Sequence, residues 1–235
     1  MQTDIDVTFD VRRDTPKGKD PDTHSKTLRR YHRMLWSKPL PSGSLFALND
    51  TTPGCYLHHK STAGEFFLSS DSVIPTYSYR EDILSLTSAD ALETFDAIGY
   101  TIGGMMVFPA FQINRQWTIN QARGCNRLIA DRFDLTLECI RRHYCNGSSP
   151  LSNVLARYSA FFDLFQDFRG YVDFFLLQDL VTPDGSEVKL AAPSSNFSRS
   201  PVPSTVDEYQ AYREASIAFL EARNQRILQS RKRVT

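Results

Sequence analysis

Apolar residues recur at helical spacing most clearly between Ile119 and Tyr144, INQARGCNRLIADRFDLTLECIRRHY, where Ile129, Phe133, Leu137, Ile140 and Tyr144 fall at steps of four, four, three and four. Leu128, Leu135 and Cys139 widen that face, so the pattern predicts one continuous, largely buried helix. A charged stripe of Arg127, Asp131, Asp134, Glu138, Arg141 and Arg142 runs beside it, with Arg127 and Asp131, and Glu138 and Arg142, at pairing distance. Such a stripe is either a solvated face or one wall of a cleft, because a buried charge needs a partner or a function.

Elsewhere the period changes. Ile5, Val7 and Phe9 alternate with Asp6, Thr8 and Asp10, which predicts a half-buried strand. RRDTPKGKDPDTHS then reads as loop, and Leu28, Tyr31, Met34 and Leu35 as a helix capped by Asp22, Thr23 or Ser25. Strands are expected at Ser44 to Leu48, Cys55 to His59, Glu65 to Leu68 and Met105 to Phe108, forming a meander. Ser88 caps a short helix to Ile98, Gly103 and Gly104 mark a bulge or a close backbone approach, and Trp117 to Ile119 reads as a returning hairpin strand. After Asn146 and Gly147, a helix opens at Ser149 and Pro150, and a second aromatic helix follows a break near Gly170. Asp173, set among apolar neighbours, calls for a partner if buried, and Val206 to Leu228 closes the chain as a helix whose charges suit its dipole.

These elements predict an α+β fold: a mainly helical single domain with a small, mostly antiparallel sheet from the N-terminal half. Residues 1–110 supply mixed strands and short helices, 119–181 the central helices, and 206–230 the C-terminal helix.

Composition narrows the class. A chain of 235 residues, 41% hydrophobic and 23% charged, has enough material for one sizeable core. It contains no apolar run long enough to span a bilayer, and MQTDIDVTFD carries acids where a secretory signal carries basic residues, so a cytoplasmic protein without a membrane partner is expected. Cys55, Cys125, Cys139 and Cys145 form no CxxC pair, which favours reduced thiols over a disulfide or zinc framework. Net charge is zero yet unevenly spread: nine Lys and Arg face three Asp between Arg12 and Lys38, and five more positives lie between Arg223 and Arg233. Eight acids against two bases occupy Asp50 to Asp96. A basic surface of this kind suits an anionic partner.

Candidate chemistry gathers in three places. Lys17, Gly18 and Lys19 lead into a helix bearing Arg29 and Arg30, an arrangement that favours phosphate although the GxxxxGK[ST] spacing is absent. Asn120 and Arg123 stand at a helix entrance, where free N–H groups and an Arg attract anions. Asp131 and Asp134 are candidate acids, bases or magnesium ligands. His59 is a candidate catalytic histidine; its neighbour His58 must face the other side of the same strand.

The pieces LRRYHRMLWSKPLPSG, YTIGGMMVFP, WTINQARG, DRFDLTLECIRRHY and FRGYVDFFLLQDLV resemble those of a bacterial protein family of unknown function. The resemblance covers nearly the whole chain and implies a bacterial, cytoplasmic, one-domain protein, but no activity. Two function classes follow from the residues. One is a nucleic-acid or nucleotide-handling protein using the basic loop and helix and the Asn/Arg corner. The other is a non-catalytic module that recognises a protein partner through its charged surfaces.

Overall fold

The computed structural model describes residues 4–232. Met1 to Thr3, part of the N-terminal stretch read above, and Arg233 of the basic tail lie outside them. In chain order the helices are α1 (Pro21–His24), α2 (Lys26–Trp36), α3 (Glu81–Leu84), α4 (Ala89–Gly99), α5 (Ile119–Cys125), α6 (Phe133–Tyr144), α7 (Ser152–Arg157), α8 (Ser159–Asp163), α9 (Phe168–Phe174) and α10 (Val206–Lys232). The strands are β1 (Leu57–Ser61), β2 (Gly64–Ser72) and β3 (Met105–Pro109), antiparallel in the order β1-β2-β3. The fold is therefore α+β, as the periodicities require.

Ser25 starts α2 by accepting the Leu28 N–H at 3.0 Å, and its own hydroxyl donates to Asp14 at 2.5 Å. Leu28, Tyr31, His32, Leu35 and Trp36 then face inward. In the sheet, Leu57 pairs with Leu68, His58 with Phe67 and His59 with Phe66, while Ser69 pairs with Phe108 and Asp71 with Met106. Successive side chains alternate, so Phe67, Ser69 and Asp71 share one face and Phe66, Leu68 and Ser70 the other. The second face packs into an aromatic core in which Phe161 lies 5.8 Å from Phe66 and 5.4 Å from Phe165, and Trp36 lies 5.1 Å from Phe175.

Helix α10 is tied to β3 and its approach by polar anchors. Buried Arg223 donates to the carbonyls of Gly103 (2.8 Å), Met105 (3.0 Å) and Phe175 (3.2 Å), and Asn224 donates to Thr101 Oγ1 at 3.0 Å. Gly103 and Gly104 form a 3-10 turn rather than a bulge, and the close approach is real: a side chain on Gly103 would strike Asn224, and one on Gly104 the Gly99 carbonyl.

Several expected elements differ. Ile5 and Val7 are buried, but no ladder forms there among the described residues: Asp6 accepts from the Thr8 N–H (2.9 Å) and hydroxyl (2.7 Å), and its carbonyl accepts from Phe9 N–H (3.2 Å), a turn that displaces the strand. Ser44 to Leu48 contributes only the isolated bridge from Leu45 to Pro39. Trp117 to Ile119 is not a strand, because Thr118 closes a capping box with Gln121 and starts α5. The single helix expected over Ile119 to Tyr144 is two helices, α5 and α6, separated by a turn with Ala130 (φ 46°) and Asp131 (φ 62°) in the left-handed region. The aromatic helices break at Gln166 (φ 68°), where Asp167 caps α9, and Gly170 lies inside α9 against the Phe165 carbonyl. Asp173 is half-exposed and meets Arg169 and Gln178.

Candidate functional site

A run of polar residues in the middle of a strand is the local departure from pattern that locates the site. In β2, GEFFLSSDS passes from the consecutive apolar residues Phe66, Phe67 and Leu68 to Ser69, Ser70, Asp71 and Ser72, and three elements converge on that run. From α5, Asn120 and Arg123, three residues apart and so on one helix face, reach the Ser69 and Asp71 side of the sheet. Asn120 donates to Ser69 Oγ at 3.2 Å, and Arg123 forms an ion pair with Asp71. From α1, Asp22 accepts the Ser72 N–H at 2.7 Å. From the turn between α5 and α6, Asp131 presents its backbone oxygen (2.7 Å) and carboxylate (3.3 Å) to Arg123.

Arg123 is the hub. Its side chain is wholly buried, its Nε donates to Thr136 Oγ1 at 2.9 Å, and its guanidinium carbon sits 5.3 Å from the Phe108 ring centre. Around this one cation stand Asp22, Asp71 and Asp131, with Asp20 capping α1 beside them. Burial pushes the Asp71 carboxyl up to about 7 against the pull of Arg123, with Asp131, Asp22 and Asp20 adding repulsion. Burial likewise raises Asp22 to about 6, opposed by the Ser72 N–H and reinforced by Asp20 and Asp131. Asp131 is also raised by burial, with Arg123 opposing. The Oδ1 atoms of Asp22 and Asn120 are buried and have no hydrogen-bond partner, so polar capacity remains unspent at this junction. Consecutive left-handed residues at Ala130 and Asp131 are the kind of local strain that a surrounding network must hold in place.

The opposite face of the same strand carries a second polar chain. The Trp36 indole donates to His32 Nδ1 at 3.0 Å, and an indole N–H can only donate, so the ring proton of neutral His32 lies on Nε2 and donates to Ser70 Oγ at 3.0 Å. Burial, together with the charge of Arg223, lowers His32 to about 3 and keeps it neutral.

The residues singled out from the sequence divide accordingly. Asn120, Arg123 and Asp131 come together. Asp134 does not join them: it pairs with buried Arg132 (2.6 Å) and accepts the Ala191 N–H (2.9 Å) on another side of α6. Arg127 makes no ion pair among the described residues, whereas Glu138 holds both Arg141 (2.7 Å) and Arg142 (2.8 Å). His59 lies on the other sheet face from Asp71, its Nδ1 donating to the Ala47 carbonyl (2.9 Å) and its Nε2 accepting from Ser61 (2.9 Å), with the ring 4.3 Å from Phe46. Arg29 braces the loop that leads into β1 through the Asp50 and Cys55 carbonyls, and Arg30 lies over Tyr31 at 5.3 Å. Lys17 and Lys19 are exposed around Gly18 (φ 75°). Asp22, Asp71, Ser70 and His32 are not among the site residues the sequence singles out; the unbroken polar run in β2 is a signal for Ser70 and Asp71, whereas Asp22 in α1 and His32 in α2 join them through packing alone.

Among the described residues no group of three His, Cys, Asp or Glu side chains is placed to hold a metal ion, and no helix is long and apolar enough to cross a membrane. The cysteines Cys55, Cys125, Cys139 and Cys145 are all free thiols. No curated protein and no solved structure matches the chain. A family model matches residues 5–227, and the chain accordingly belongs to the family described as "Family of unknown function (DUF6994)".

Proposed function

We propose that the junction of α1, β2 and α5 is an acid–base site that handles a small neutral or cationic polar molecule. The observation that supports this is the placing of Asp71 and Asp22, with carboxyls raised to about 7 and about 6, around a guanidinium whose three nitrogens each already meet a protein acceptor. At neutral pH Asp71 holds its proton part of the time and is the group suited to donate it, while Asp131, 39% exposed, is suited to accept one. Arg123 steers Asp71 and limits how far its acidity falls. The buried Oδ1 atoms of Asp22 and Asn120 offer acceptors to hydroxyl or amino groups. Phosphate is disfavoured at this corner because several carboxylates surround the one cation.

The test is a turnover screen over neutral glycosides, esters and amides, with and without magnesium. Asp71→Asn is expected to lower any activity found by about a hundredfold or more, the usual scale of a lost general acid. Activity that survives Asp71→Asn unchanged would remove Asp71 from the site.

A second reading, binding of a nucleic acid or nucleotide, draws on Lys17, Lys19 and Lys26, which are exposed and join no ion pair among the described residues. It rests on those lysines rather than on Arg123. Retention on immobilised nucleic acid that falls steeply with salt and weakens in Lys17→Ala with Lys19→Ala supports it; no retention at low salt removes it. A cytoplasmic location is proposed on the ground that four free thiols suit a reducing compartment.

A further inference from the structure

A separate hollow lies where α10 crosses the segment from Asp179 to Ala191, on the side of α6 that carries Asp134. Its origin is in the sequence of α10, where Ala215, Ala218 and Ala222 recur at helical spacing. Their small side chains leave about 390 Å³ open beside Phe133, Leu180, Leu190 and Phe219. A volume of that size, walled by apolar groups with few polar ones, is the ordinary form of a small-molecule site.

The charges at its rim decide what it would take. Asp134 is held by Arg132 through two contacts, 3.1 and 2.6 Å, and by the Ala191 N–H. Asp179 is held by Arg226, at 2.5 and 2.8 Å. Both carboxylates are thereby neutralised in place. Lys189 lines the same hollow, is exposed, joins no ion pair among the described residues, and makes only a long contact of 3.4 Å to the Asp179 carbonyl. One unpaired positive charge therefore stands at the mouth of an apolar cavity. We propose that this hollow binds a small amphipathic acid, its apolar body against the alanine face of α10 and its carboxylate at Lys189. This site is independent of the Asp71 junction: it shares none of the residues named there, and its occupant needs no reaction.

Isothermal titration of the full chain with octanoate, octan-1-ol and octylamine, below their aggregation thresholds, tests it. Octanoate is expected to bind about tenfold or more tightly than the alcohol or the amine, the scale of one charge-assisted contact. Lys189→Ala, an exposed change that leaves the core untouched, is expected to bring octanoate and octan-1-ol to equal affinity. Ala222→Leu fills the hollow and is expected to weaken all binding about tenfold while the circular dichroism stays that of the parent. No heat from octanoate, equal binding of all three probes by the parent chain, or an unchanged preference for octanoate in Lys189→Ala would each overturn the proposal, and the last reading stands even if Ala222→Leu fails to fold.

Discussion

Arg123 and Asp71 form an ion pair between α5 and β2 in which the guanidinium is fully buried and the carboxylate keeps 22% of its surface open. The two residues stand 52 positions apart in the chain. A pair of this kind contributes less to stability than to the fixing of one geometry, since desolvation offsets most of the attraction.

Removing the cation exposes that balance. Arg123→Ala leaves Asp71, Asp22 and Asp131 facing one another without a counter-charge and removes the donor to Thr136. A loss of about 2–4 kcal/mol is expected, below the full figure for a wholly buried pair because Asp71 is partly open and can protonate. Urea unfolding at pH 8 and pH 5 checks it: the loss should be smaller at pH 5, where Asp71 and Asp22 carry protons.

The raised carboxyls set a direction for pH. Asp71 and Asp22 bind protons more tightly folded, at about 7 and about 6, than at the ordinary value of 3.8. Between about pH 4 and pH 7 the native state therefore holds more protons, and this part of the stability falls as pH rises, by up to ~1.4 kcal/mol per pH unit for each group. Asp71→Asn, which still accepts from Arg123, should flatten that slope relative to the parent. A difference curve with no slope in that window would contradict it.

His32 behaves in the opposite sense. Its folded value of about 3 lies below the ordinary 6.5, so the native state holds fewer protons between those limits and this share of stability is lost as pH falls below about 6.5. In 15N NMR the ring should remain the neutral Nε2–H form from pH 8 to pH 5, as the Trp36 donor dictates. Trp36→Phe should cost that lock and cavity volume together, and a ring that titrates near 6.5 in the parent would remove the argument.

Two adjacent glycines should respond unequally. Gly104→Ala drives a methyl group into the Gly99 carbonyl, and Gly103→Ala drives one into the Asn224 side chain. Backbone cannot yield as a side chain can, so Gly104→Ala is expected to be the worse, at or above the ~1–3 kcal/mol typical of overpacking, with Gly103→Ala below it. Thermal unfolding of the two variants ranks them directly.

Local rules made part of this fold legible. Ser25, the apolar face of α2 and the turn residues Ser61 to Gly64 between two short strand segments are fixed by neighbours in sequence, so α2 and the hairpin follow from them. The break between α5 and α6 was hidden, because Ala130 and Asp131 take left-handed backbone that neither Gly nor Pro announces, and the apolar spacing runs on across it. Ile5 and Val7 alternate like strand residues and are buried like them, but Asp6 turns the backbone on itself. Of the site, the sequence marks Asn120 and Arg123 as a corner and Asp131 as a separate candidate acid, and the structure joins the two. That the corner is acidic is not visible there, since Asp71 and Asp22 reach it only through tertiary packing, and nothing in the residue Arg123 shows that its side chain will be sealed inside.

The most direct test is a 13C carboxylate NMR titration of the parent chain, with the Asp71 resonance assigned by its loss in Asp71→Asn. An Asp71 midpoint near 7, shifting when Arg123 is replaced by Lys, is the result this account requires. A midpoint near 3.8 would contradict it, because Asp71 would then be an ordinary ionised partner of Arg123 with no proton to give.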